Sequence, residues 1–190
     1  MTVRFGLLGA GRIGKVHAKA ISGDPSARLV AVADAVPAAA EALATGYGAA
    51  MRSIEAIEGA ADIDAVVICT PTDTHGDLIE RFARAGKAIF CEKPIDLSLA
   101  RVQACLQVVE ETGAKLMVGF NRRFDPHFLA LKRVIEAGEI GAVEMVQITS
   151  RDPAAPPLSN IGSSGGILRD MTIHDFDMAR FLLGEEPETV

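Results

Sequence analysis

No stretch of this chain is apolar for long enough to span a bilayer, and there is no excess of positive charge. Its 19 Lys and Arg stand against 25 Asp and Glu, a net charge of -6. That balance gives no basic footprint for nucleic acid or anionic lipid, so neither is expected as a partner. The opening "MTVRFGLLGAG" lacks a basic segment followed by a long apolar one and a cleavage site, so no export signal is expected. Cysteine is scarce. Cys69, Cys91 and Cys105 are odd in number and form no C-x-x-C pair. They are expected as free thiols of a reducing cytoplasm, two of them inside apolar strand runs where cysteine behaves as a small hydrophobe. No spacing of Cys and His fits a metal, and no repeat or low-complexity tract occurs.

What is present is an ordinary globular composition, 49% apolar and 23% charged, in 190 residues. That length allows one full core and part of a second domain. Apolar runs such as "VRFGLLG", "ARLVAVAD", "DAVVICT", "AIFCE" and "KLMVGF" alternate with helical patterns over 13–21, 37–47, 74–85 and 97–112. "AMRS" is a brief further strand, followed by a short helix over 54–58. Strands that are apolar throughout and alternate with helices predict a parallel sheet covered on both faces. The fold class is therefore α/β, a Rossmann-type doubly wound sheet over 1–120, with the beginning of an α+β domain over 121–190. In that second part, 125–137 is helical, "AVEMVQITSR" (142–151) alternates as a strand, and "DPAAPPLSNIGSSGG" (152–166) is a long loop. A last helix covers 170–183. A strand without a partner is an odd end for a domain, so most of a second sheet is expected to be missing.

"GLLGAGRIGKVH" holds Gly9-x-Gly11-x-x-Gly14 between a strand and a helix. In that context Gly9 permits the tight turn, Gly11 lets a pyrophosphate approach the backbone, and Gly14 allows close helix–strand packing. The N–H groups at the helix start, from Arg12 and Ile13 onward, favour the anion. Asp34 ends the next strand, about twenty residues on, where an acid can accept from both ribose hydroxyls of an adenosine. A carboxylate there repels an extra 2′-phosphate, and Ala35 and Val36 supply no arginine to offset it. NAD is thus expected rather than NADP.

"CTPTDTHGDL" closes the fourth main strand on the same carboxyl edge, so Thr70, Pro71 and Thr74 are cofactor-lining candidates. Thr74 fits a plain helix N-cap equally well. His75 is either a second imidazole near the nicotinamide or, as the pattern favours, a first-turn surface histidine. His17 and His127 carry no evident role. In "AIFCEKPIDL" a buried strand run stops at Glu92-Lys93-Pro94, which sets Lys93 on a stiff stub. In "SGGILRDMTIHDFDMARFL", Asp170 and His174 are four apart and on an α-helix share a face, with about 6 Å between Cβ atoms. Asp177 follows one turn on. An Asp beside a His suits a general base near neutral pH, and a surface pair is the plain alternative.

"GAGRIG", "CTPTDTH", "CEKPIDL", "GFNRRFDPHF" and "GGILRDMTIHDFDMARFLLG", in this order, resemble the Gfo/Idh/MocA oxidoreductases along the whole chain. The resemblance implies that Lys93, Asp170 and His174 are the reacting residues, with Glu92 and Lys93 beside the cofactor and a Lys93–Pro94 bond that is often cis in the family. It implies substrate contacts from Lys93, Asn121, Arg122, Arg123, Asp170 and His174. The implied reaction is NAD-dependent oxidation of a cyclitol alcohol, myo-inositol to its 2-ketone, in a cytoplasmic protein of a family that is usually tetrameric. A related sugar dehydrogenase, or an NAD-binding module without catalysis, are the alternatives.

Overall fold

The computed structural model of the chain describes residues 1–151, 154 and 165–189. It divides into two units, Met1–Gly119 and the chain from Phe120 onward. The first unit holds a sheet of β1 (Val3–Leu8), β2 (Ala27–Ala33), β3 (Ala50–Met51), β4 (Ala65–Ile68), β5 (Ala88–Cys91) and β6 (Leu116–Val118). Its six strands lie in the order β3-β2-β1-β4-β5-β6. Every neighbouring pair is parallel. Between strands run α1 (Arg12–Gly23), α2 (Pro37–Gly46), α3 (Ile54–Glu58), α4 (His75–Arg84) and α5 (Leu99–Thr112).

The carboxyl halves of β1 and β2 and the whole of β4 are apolar and buried because both faces are covered there. Successive side chains point to opposite sides of a strand. Leu7, Val32 and Val67 pack with Ala18 and Ile21 of α1 and with Ala40, Leu43 and Ala44 of α2. Leu8, Ala33 and Ile68 pack on the other side with Ile57 of α3, Ile79 and Phe82 of α4 and Cys105 of α5. The order reverses between β1 and β4, and a parallel sheet opens its ligand crevice beyond the carboxyl ends of strands at such a reversal.

All three cysteines are free. Burial pushes the Cys69 thiol up to about 12, helped by the Glu92 carboxylate. Among the described residues, no helix is long and apolar enough to cross a membrane. Nor do three His, Cys, Asp or Glu side chains there gather as metal ligands would.

In the second unit, α6 (Pro126–Glu136) starts as the sequence prescribes, with Pro126 in the first turn and the Asp125 carboxylate accepting from the His127 N–H at 2.8 Å. The final helical stretch is a π-helical turn at Leu168–Thr172 followed by α7 (Ile173–Leu183). The strand expected over 142–151 does not form. A strand is defined by its ladder, and among the described residues no neighbour supplies one to this alternating segment. Of the expected loop over 152–166, all but Ala154, Gly165 and Gly166 lies outside the described residues.

At the amino end of the sheet, Arg4 of β1 grips Asp64 just ahead of β4. The carboxylate accepts from the Arg4 backbone N–H and Nε, each at 2.9 Å, and from a terminal guanidinium nitrogen at 2.7 Å. These contacts hold the Asp64 carboxyl down from its ordinary 3.8 to about 2. A carboxyl depressed on folding stabilises the fold above its unfolded value, and that contribution is lost as the pH falls through the folded value. Asp64→Asn is therefore expected to lower the urea-unfolding free energy at neutral pH. The gap to the wild type should close between pH 3.8 and about 2.

Candidate functional site

The phosphate loop follows β1. Gly9 has φ +100°, a left-handed backbone, and a Cβ there would come 2.6 Å from the Cys69 carbonyl oxygen. At Gly14 a Cβ would lie 1.9 Å from the Gly9 carbonyl oxygen, closer than any atom can stand. Only glycine at both positions lets α1 start against the strand end. Gly11 differs: a Cβ there would meet nothing within 4 Å. Among the described residues no contact therefore demands that glycine. Gly11 is the N-cap of α1, no side chain caps the helix, and no acid occupies its first turn. The N–H groups of Arg12, Ile13 and Gly14 thus have no capping side chain or local carboxylate competing for them, which suits a pyrophosphate.

Asp34 follows β2 and is tied to this loop. One carboxylate oxygen accepts from the Ala10 N–H at 2.6 Å and the other from the Val36 N–H at 2.8 Å. A carboxylate offers about four acceptor positions, so both oxygens, already oriented, keep capacity for hydroxyl donors. The donor set and the space fit an adenosine diphosphate group.

The strand ends are ranked by a ladder that continues one residue past each strand. Gly9 N–H donates to Ala33 at 2.8 Å, Cys69 N–H to Leu8 at 2.7 Å, Glu92 N–H to Ile68 at 3.0 Å and Gly119 N–H to Cys91 at 2.8 Å. Asp34, Gly9, Thr70, Glu92 and Lys93 are thereby brought to one edge in strand order. Thr74 stands at the N-cap position of α4 but makes no capping bond. Its hydroxyl bonds the Pro71 carbonyl and the Thr70 hydroxyl, each at 2.7 Å. It shapes the Thr70–Pro71 loop instead. Lys93 is half-buried, and the Lys93–Pro94 bond is cis.

The expectation for His75 is overturned. It is 2% exposed, not a surface residue. Nδ1 lies 2.8 Å from the Pro94 carbonyl oxygen and Nε2 lies 2.8 Å from that of Thr70. His17, given no role from the sequence, places Nε2 2.7 Å from Glu92 Oε1 and tilts its ring over Phe90 at 5.0 Å. The signal for both was helical spacing. His75 precedes Leu78, Ile79 and Phe82 by three, four and seven, and His17 lies between Gly14 and Ile21, so each sits on its helix's buried stripe.

The second unit carries the remaining candidates. Asn121, Arg122 and Arg123 lie in a 3-10 turn, Asn121–Phe124. Arg122 donates to Asp175 at 2.5 Å and to the Ser150 hydroxyl at 3.3 Å. Arg123 Nε and a terminal nitrogen grip Asp177 at 2.8 and 2.5 Å, with Asp177 4% exposed. Asp177, which α-helical spacing places on the face of Asp170 and His174, is thus the buried partner of Arg123. Asp170 lies within the π turn and His174 at the start of α7, both half-buried, with the His174 ring edge-on to Phe120 at 6.4 Å. Sequence spacing gave no warning of the wider turn between them.

Residues 3–120 match the family model described as "Oxidoreductase family, NAD-binding Rossmann fold", and residues 128–190 match "GFO/IDH/MocA C-terminal domain". The chain is 78% identical to the inositol 2-dehydrogenase of Rhizobium meliloti (strain 1021), over 100% of this chain and 58% of that protein. A crystal structure of a myo-inositol dehydrogenase from Corynebacterium glutamicum superposes with a TM-score of 0.91 at 48% identity, over 96% of this chain and 55% of that one. The scyllo-inositol dehydrogenase of Lactobacillus casei, solved with bound NAD(H) and scyllo-inositol, gives 0.89 at 35% identity, over 98% and 57%. The chain therefore spans little more than half the length of these relatives.

Two glycine substitutions separate packing from ligand binding. Gly14→Ala should cost at least about 3 kcal/mol of stability, because the clash is with backbone. Gly11→Ala should leave stability within about 0.5 kcal/mol. It should weaken NADH binding roughly tenfold, about 1.4 kcal/mol, when read by fluorescence titration.

Proposed function

The chain belongs to the Gfo/Idh/MocA oxidoreductase family, and from that membership we propose that it oxidises a ring alcohol of a cyclitol, myo-inositol to its 2-ketone, using NAD. The similarity to the Rhizobium inositol 2-dehydrogenase over the whole of this chain is the observation that carries the reading. Cofactor holding is assigned to residues 1–120 and the substrate side to 121–190. Gly9, Gly11 and Gly14 with the α1 amides of Arg12 and Ile13 hold the pyrophosphate, and Asp34 holds the adenosine ribose. The oriented Asp34 carboxylate disfavours a 2′-phosphate, which supports NAD over NADP. Thr70, Pro71, Thr74, Glu92 and Lys93 form the cofactor side further along the sheet edge, with the buried His75 behind them.

When bound, the nicotinamide supplies the acceptor for the hydride leaving the substrate carbon. The chain's own residues handle the proton. His174 accepts it from the substrate hydroxyl, and Asp170 supports the imidazole as it becomes charged. Lys93 hydrogen-bonds the same oxygen and stabilises the negative charge that develops as the proton departs. Asn121, Arg122 and Arg123 belong to the substrate side, where the two arginines hold the turn through Asp175 and Asp177. The reading further assigns the protein to a reducing cytoplasm, with a small cyclitol as partner, in a family that is usually homotetrameric.

A second reading, an NAD-binding module without turnover, is favoured by one observation: residues 142–151 find no strand partner among the described residues. NADH formation from NAD and myo-inositol, run beside NADP and beside a panel of sugars, decides between them. Turnover with NAD and myo-inositol is expected. NADH binding without turnover on any alcohol would leave only the module. Lys93→Ala is expected to lower kcat at least about a hundredfold while NADH still binds. Undiminished turnover in that variant would remove Lys93 from the reaction.

A further inference from the structure

Beyond the Glu92 N–H, which donates to Ile68 at 3.0 Å, the ladder joining β4 and β5 ends. The chain then runs without regular structure from Lys93 to Ser98 before α5 begins. The His75 imidazole bridges this gap, one nitrogen 2.8 Å from the Thr70 carbonyl after β4 and the other 2.8 Å from the Pro94 carbonyl after β5. Carbonyl oxygens accept and do not donate, so the hydrogen in either contact can come only from the ring, which carries one N–H when neutral and two when protonated. At 2% exposure water cannot replace those contacts.

The element that carries the ring is itself held. Arg101 of α5 lies across Gly76, with its guanidinium carbon 3.3 Å from where a Gly76 Cβ would sit. The same guanidinium pairs with Glu80 and, at 2.5 Å, with Asp77. Cys105 Sγ faces the Gly76 carbonyl at 3.8 Å. The first turn of α4 is thereby fixed on α5, and a side chain on a fixed helix start is a precise place from which to hold a loop.

We propose that His75 is a positioning residue: by tying the Pro94 carbonyl to the Thr70 carbonyl, it holds the backbone that carries Lys93 against the loop on the cofactor side of the sheet edge. Its consequence for rate rests on the reaction proposed above; the tie itself does not. Misplacing a reacting group by about an ångström can cost about a hundredfold in rate without loss of binding elsewhere.

Two variants and two readouts test this. His75→Leu removes both ring nitrogens, and His75→Gln returns an N–H donor of similar reach. In His75→Leu the backbone amides of Lys93, Ile95 and Asp96 should exchange with deuterium faster, while amides of β1 and β2 keep their protection. Its kcat on the cyclitol should fall by about ten- to a hundredfold with the NADH dissociation constant within about twofold, and His75→Gln should recover most of that rate. Unchanged exchange at Lys93, Ile95 and Asp96 in His75→Leu overturns the proposal, whatever the activity. So does parallel loss of kcat and NADH affinity in both variants, the mark of a general folding role. If the unmutated chain turns over no alcohol, the reaction assignment fails alone, and the exchange result still decides whether His75 ties the two loops.

Discussion

The contact between the Gly9 carbonyl and the Cα of Gly14 is the constraint on which the cofactor edge depends. It sets how α1 leaves β1, and no side chain fits between them. Once that turn is closed, the start of α1 faces the crevice with no side-chain cap, and the Ala10 N–H is presented to Asp34. A helix dipole, uncapped amides and an oriented carboxylate then arise from one backbone crossing. Asp34 is both a product of the turn and a support for it, because its second oxygen holds the Val36 N–H and so fixes the chain leaving β2.

Two histidines extend this order along the edge. His17 of α1 reaches Glu92, so the helix that follows the glycine turn is joined to the end of β5. His75 joins the ends of β4 and β5 beyond their last ladder bond. The His75 imidazole is buried and that of His17 half-buried. Their work is to give irregular backbone, which a parallel sheet leaves behind at every carboxyl end, the fixity that ladders give inside it.

Much of this was legible in the sequence. The strand runs, the glycine spacing and Asp34 announce the nucleotide half because each is a local device: periodicity, a turn, an acid at a strand end. His17 and His75 were misjudged because they were weighed by residue type and exposure expected of a helix start. Their positions on the apolar stripes of α1 and α4 told otherwise. The 142–151 segment has a strand's alternation, but alternation prepares a strand without supplying the neighbour that makes one. The pairing of Asp177 with Arg123 went unread for a different reason. Spacing by 3.6 residues presumes a regular helix, and the helix ahead of it is not regular.

That irregularity acts as a phase setting. A π turn is an α-helix with one residue inserted, and each residue turns the helix by about 100°. Asp170 sits inside the widened turn, while Asp177 lies beyond it and is locked to Arg123. The buried ion pair therefore fixes the rotation of α7, and the inserted residue decides independently which way Asp170 is carried. One inserted residue thus turns the two ends of the helical stretch relative to each other by about 100°, a single residue's step, without breaking the helix.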